Sequence, residues 1–86
     1  MPLICFFYGI TIYMYFDDHN PPHFHAKYAE YEVIIDINNL GVLNGYMPPR
    51  ALGMVVEWAY EHKQELLCDW ELVKNLQNPN PINPLR

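Results

Sequence analysis

The run His23-Phe24-His25-Ala26-Lys27-Tyr28-Ala29-Glu30-Tyr31-Glu32-Val33-Ile34-Ile35-Asp36-Ile37 carries the fold. In its second half Tyr31, Val33, Ile35 and Ile37 alternate with Glu32, Ile34 and Asp36. A period of two, rich in branched and aromatic residues, marks a β-strand. The first half keeps the same period, placing His23, His25 and Lys27 on one face and Phe24, Ala26 and Tyr28 on the other. Between them Ala29-Glu30 reads as a tight turn, although neither residue favours the positive φ that such turns use.

Upstream, Ile10, Ile12, Met14 and Phe16 alternate with Thr11, Tyr13 and Tyr15, a further strand with apolar or aromatic character on both faces. Leu3 to Tyr8 leads into it across Gly9 and pairs or packs there without a defined element. Asp17-Asp18-His19-Asn20-Pro21-Pro22 interrupts the pattern, because two consecutive prolines cannot donate to a ladder. The sequence leaves open whether Asn20-Pro21 or Pro21-Pro22 is cis. Downstream, Asn38-Asn39-Leu40-Gly41 forms a turn, Val42-Leu43 a short returning strand, and Asn44-Gly45 its end.

Pro48-Pro49 opens one long helix, with an apolar stripe of Leu52, Val55, Val56, Ala59 and Leu66 opposite Glu57, Glu61 and Gln64. Asp69 is placed to cap a second helix from Trp70 to about Leu76, the two meeting near Leu67-Cys68. Three Asn-Pro dipeptides make Gln77 to Arg86 extended, with Ile82 and Leu85 able to anchor it along the body. The expected organisation is a single α+β domain over residues 1–76 and an extended Asn-Pro-rich tail over 77–86. Its sheet is antiparallel with three or four strands, packed by one long and one short C-terminal helix.

Eighty-six residues leave room for one core, which at this size buries about 60–65% of the unfolded surface. Ten acidic and five scattered basic residues give a formal charge of -5. That balance argues against nucleic acid and against an anionic membrane surface, both of which demand clustered Lys and Arg. Cys5 and Cys68 stand in no metal-type spacing and in apolar surroundings, so buried free thiols in a reducing cytoplasm are expected. The apolar run from Leu3 to Phe16 is too short to span a bilayer and lacks a basic leader.

Three of the four histidines and two carboxylates fall between Asp17 and Lys27. On a strand, His23 and His25 leave the same face with Cα atoms about 6.6 Å apart. Two such imidazoles can share a divalent ion such as zinc, nickel or manganese, with His19 and Asp17 as the next ligands. Pro21-Pro22 would stiffen the loop that holds His19. A metal-free alternative uses one neutral and one protonated imidazole to cleave RNA, with Lys27 steadying a phosphate. The acidic chain opposes that reading. In a third, purely structural reading, histidines beside prolines satisfy backbone carbonyls and pin a turn. His62, on the long helix, reads as a surface or helix-packing residue. Seven tyrosines, including Tyr13 and Tyr15 on one face, favour a protein partner or self-association.

The stretch from Met14 to Ala26, with its Asp18-His19-Asn20-Pro21-Pro22-His23-Phe24-His25 core, resembles the signature of a small bacterial family, domain of unknown function 4160. The likeness continues through Val33 to Ile37, Pro49 to Leu52, Glu57-Trp58-Ala59, Leu66-Leu67 and Trp70, and leaves out the tail. The family has no established activity, and its members are often encoded beside another small protein, as toxin–antitoxin pairs are. The resemblance implies a bacterial, cytoplasmic protein with a small partner from an adjacent gene, and it assigns no catalytic residue. The combined expectation is a partner-binding component of a toxin–antitoxin-like two-gene unit with a His-rich site for a divalent metal. A small ribonuclease-like toxin is the alternative.

Overall fold

The computed structural model describes residues 2–86. Five strands, β1 (Leu3–Phe7), β2 (Ile10–Tyr13), β3 (His23–Tyr28), β4 (Tyr31–Asp36) and β5 (Val42–Tyr46), are followed by α1 (Pro49–Glu61) and α2 (Lys63–Lys74). The strands form one antiparallel meander in the order β1-β2-β3-β4-β5. The α+β class is as expected, but the sheet has five strands rather than three or four. The extra strand is Leu3–Phe7, which folds back on β2 because Tyr8 and Gly9 both take positive φ, 48° and 81°. That is the backbone pattern of a two-residue hairpin turn, which a tyrosine does not advertise. Ala29 likewise takes φ 52° in the β3–β4 turn.

Period-two alternation separates the two faces of the sheet. Ile10, Ile12, Phe24, Ala26, Val33 and Ile35 are fully buried with Val55, Trp58 and Ala59 of α1 and Leu66, Trp70 and Val73 of α2. Burial of each large apolar side chain contributes roughly 1.5–3 kcal/mol. Trp58 is the hub, its ring 5.5 Å from Phe7 and 5.9 Å from Phe24. The register pairs Tyr13 with His25, His25 with Ile34 and Ile34 with Asn44, so these residues share the opposite, helix-free face. Among the described residues no helix is long and apolar enough to cross a membrane.

The helices part at His62, not near Leu67-Cys68. His62 leaves helical geometry (φ -118°, ψ 25°), rests its ring on Trp58 and joins its Nδ1 to Glu65 Oε1 at 2.5 Å. Asp69 is therefore no cap but a buried residue inside α2, whose Oδ1 accepts from the Asn80 amide at 2.9 Å. Cys5 is buried, whereas Cys68 is exposed, because Leu66, Asp69, Trp70 and Val73 form the inward stripe of α2 and position 68 falls outside it. Burial pushes the Cys5 thiol up. Residues 77–86 are extended; the Gln77 amide closes on Leu72 O, and beyond it the strap is held by Asn80 on Asp69, the Ile82 amide on Ile4 O, and the Trp58 indole on Asn83 O. The strap thus touches β1, an edge strand of the sheet.

Strand β5 runs through Asn44-Gly45 instead of ending there. Gly45 takes φ +86°, and a Cβ placed on it would lie 2.2 Å from the Glu32 carbonyl oxygen. Both conditions exclude a side chain at this position. Gly45→Ala is expected to lose at least about 2 kcal/mol of stability in urea unfolding, the range of a backbone clash combined with a left-handed residue. A loss below about 0.5 kcal/mol, typical of a neutral surface change, would contradict it.

Candidate metal centre

Residues 14–22 connect β2 to β3 and supply one side of the site. Asp17 takes φ 54°, and its amide donates to the Val73 carbonyl at 3.0 Å, docking the loop on the end of α2. At the other end the Ile37 amide donates to Pro22 O at 2.9 Å. The Asn20–Pro21 peptide is cis. Between these anchors Asp18 accepts the His19 amide on Oδ1 at 2.9 Å and turns Oδ2 towards β3.

There Asp18 Oδ2 lies 2.8 Å from His23 Nε2 and 3.5 Å from His25 Nε2. One ligand atom from each of Asp18, His23 and His25 falls within 4.8 Å of the other two. His23 donates its Nδ1–H to the Pro21 carbonyl at 2.7 Å. With that proton committed, the contact between Nε2 and the carboxylate holds only if a proton or a metal ion sits between them. His25 Nε2 is sealed from solvent without a hydrogen-bond partner, an arrangement that costs about 1–3 kcal/mol if nothing satisfies it. A cation shared with Asp18 would satisfy both nitrogens.

Aromatic rings fix the imidazoles. Tyr13 stacks on His25 at 5.1 Å and 17°, Tyr15 meets it edge-on at 4.8 Å, and Trp70 lies 5.0 Å from the His23 ring. The Tyr13 hydroxyl donates to Glu32 Oε2. Next to His25 the helix-free face sinks into a depression of about 290 Å³, lined by Tyr15, His25, Glu32, Ile34, Asn44 and Gly45.

Of the four residues singled out from sequence, the structure brings His23 and His25 together and leaves Asp17 and His19 exposed outside the group. Asp18 provides the carboxylate instead. Strand alternation would set Asp17 on the face of Tyr13 and Tyr15, but β2 stops at Tyr13 and the positive φ of Asp17 turns the chain, delivering the next side chain. Nothing local distinguishes two adjacent aspartates. Tyr13 and Tyr15 belong to the tyrosine excess of the sequence and Trp70 to its expected second helix, but the position of all three around the imidazoles depends on long-range contacts.

The electrostatics are those of a partly desolvated ion cluster. Burial alone would raise the Asp18 carboxyl, but the His19 amide, the bond and charge of His23 and the neighbouring His25 imidazole outweigh it and hold Asp18 below the usual carboxylate range. Burial pushes the His25 imidazole down, with the charge of His23 in the same direction and Asp18 opposing it.

These surroundings describe a class: a small α+β domain with a two-imidazole, one-carboxylate group enclosed between its sheet and the loop of residues 14–22. The chain belongs to the family described as Domain of unknown function (DUF4160), whose profile matches residues 9–71. No curated protein and no solved structure matches it. The matched span includes all three residues of the group, but neither β1 nor the C-terminal strap.

The depressed His25 sets a direction for pH dependence. The unfolded chain takes up a proton near pH ~6.5 while folded His25 resists it, so stability falls as pH drops below that value. The Asp18 contribution is full above the ordinary carboxylate value and is lost only when pH falls through its lower folded value. Urea unfolding of metal-free protein between about pH 7.5 and pH 5.5 should show the first effect. His25→Phe, which keeps a ring against Tyr13, should flatten the slope, and an unchanged slope would refute the assignment.

Proposed function

We propose that Asp18, His23 and His25 bind a divalent metal ion of the zinc, nickel or manganese type, in a chain that serves as a small partner-binding component of a toxin–antitoxin-like two-gene unit. The observation that carries the metal is the convergence of the two Nε2 atoms on one carboxylate oxygen at 2.8 and 3.5 Å. Tetrahedral zinc with ligands at about 2.0–2.1 Å spaces its donors about 3.3 Å apart, between those two distances. The His23 Nδ1 bond to Pro21 O is the kind of outer contact that orients a metal-binding imidazole. Such an ion ties the loop of residues 14–22 to β3, and three protein ligands leave it a further position for water or a ligand.

Calorimetry and thermal unfolding of protein purified without an affinity tag test this. One ion per chain is expected, with affinity falling at least about tenfold (1.4 kcal/mol) in Asp18→Asn, His23→Ala and His25→Ala. His19→Ala and Asp17→Asn should bind as the parent does. Ion at about 100 times its dissociation constant should add about 2.7 kcal/mol of stability, reversed by chelator. Failure to take up any of the three ions, or equal uptake by Asp18→Asn, sinks the reading.

Support for a partner comes from Phe6, Tyr15 and Tyr46, which are 61%, 43% and 62% exposed and lie towards the helix-free side. Aromatic side chains left in water are what protein interfaces recruit. Co-expression with the product of the adjacent gene should yield a co-purifying complex that Phe6→Ser with Tyr46→Ser weakens. Two separate monomers at equal expression would remove the partner. The RNA-cleaving alternative has less support, because His23 has both ring nitrogens engaged and Lys27 is the one basic residue on the five strands.

A further inference from the structure

The depression beside the histidines has a chemistry of its own. Glu32 is the one carboxylate in its wall, and no lysine or arginine lines it. Lys27 lies opposite Glu32 in the β3–β4 register, yet among the described residues no ion pair neutralises this carboxylate. Glu32 Oε2 accepts from the Tyr13 hydroxyl, which fixes the side chain and leaves Oε1 as an acceptor directed by that bond. Asn44, whose Oδ1 already accepts the Gly45 amide at 2.8 Å, adds a carbonyl oxygen with a second lone pair. The remaining wall is aromatic: Tyr15 against His25, 83° between planes, with Ile34 the apolar component.

A fixed carboxylate, a second acceptor and aromatic rings select a cation, and an anion would meet Glu32 in a wall that holds no lysine or arginine. Planarity narrows the class. A guanidinium bonds a carboxylate through a rigid fork and stacks on aromatic faces, whereas an ammonium is a compact, strongly hydrated point charge. The formal charge of -5 draws such a group in. We infer that the depression lined by Tyr15, Glu32 and Asn44 binds a guanidinium group, as carried by an arginine side chain of a protein or by a small guanidino compound. Of the three metal-site residues His25 alone borders it, so the inference goes beyond the metal and does not rest on it.

Amide-resolved NMR of the isotope-labelled full chain tests this with four probes: N-acetyl-arginine amide, free arginine, N-acetyl-lysine amide and N-acetyl-citrulline amide. Saturable shifts at Tyr15, Glu32 and Asn44 are expected with the arginine probes. The lysine probe should bind more weakly and the uncharged citrulline isostere not at all. Tighter binding of the blocked arginine would identify a protein side chain as the source, and tighter binding of free arginine a small molecule. Glu32→Gln, which can still accept from Tyr13, should weaken the arginine probes at least tenfold and leave metal uptake unchanged. His23→Ala should do the reverse. No saturable shift, an equal response to citrulline, or undiminished binding by Glu32→Gln would overturn the inference.

Discussion

Phe24 and Ala26 lie fully buried in the core with Trp58, and this burial constrains everything on the other side of β3. Side chains alternate along β3, whose pairing with β4 runs without a bulge, so seating these two in the core sends His23 and His25 to the other face. A slip of one residue would put both imidazoles into the core and two apolar groups into water. Register is thus held by hydrophobic burial, and the polar site inherits its geometry from packing in which it takes no part.

The site itself joins two kinds of structure. Its imidazoles come from a regular strand, flanked by β2 and β4. Its carboxylate comes from a loop whose position is set by backbone hydrogen bonds to α2 and to Ile37, the residue after β4. A strand gives the nitrogens a precise spacing, and the anchored loop brings the carboxylate to them. Stacking by Tyr13 and packing against Trp70 hold the rings, so the imidazoles keep little side-chain freedom. Nearby Glu32 belongs to β4 and is steadied by Tyr13, the ring that also supports His25. The Asp18-His23-His25 group and the depression therefore share a wall, although their chemistries differ.

Family membership covers residues 9–71, and the parts outside it are structurally linked. Strand β1 and the strap meet through the Ile82 amide and Ile4 O, and both reach Trp58, one through Phe7 and the other through Asn83 O. They complete the edge of a sheet whose centre, with the histidines, lies within the family span. Asp69 fits this view: buried in α2, it is pushed up by burial, with the Asn80 amide opposing and Glu65 reinforcing the shift, and it holds the strap by a single hydrogen bond.

The residues alone determined the α+β class, the strand character of residues 23–28 and 31–36, and the pairing of His23 with His25 on one face. Each follows from alternation or helical spacing within a few residues. Tertiary structure decided the rest. Leu3–Phe7 became a strand through positive φ at Tyr8 and Gly9, the helices divided where the His62 ring found Trp58, and Asp69 turned inward to meet a tail eleven residues away. Asp18 rather than Asp17 or His19 reached the imidazoles because the Asp17 amide is tied to Val73, fifty-six positions further along. Periodicity shows which side of an element a residue occupies, but the choice between adjacent loop carboxylates depends on a distant carbonyl that no local pattern records.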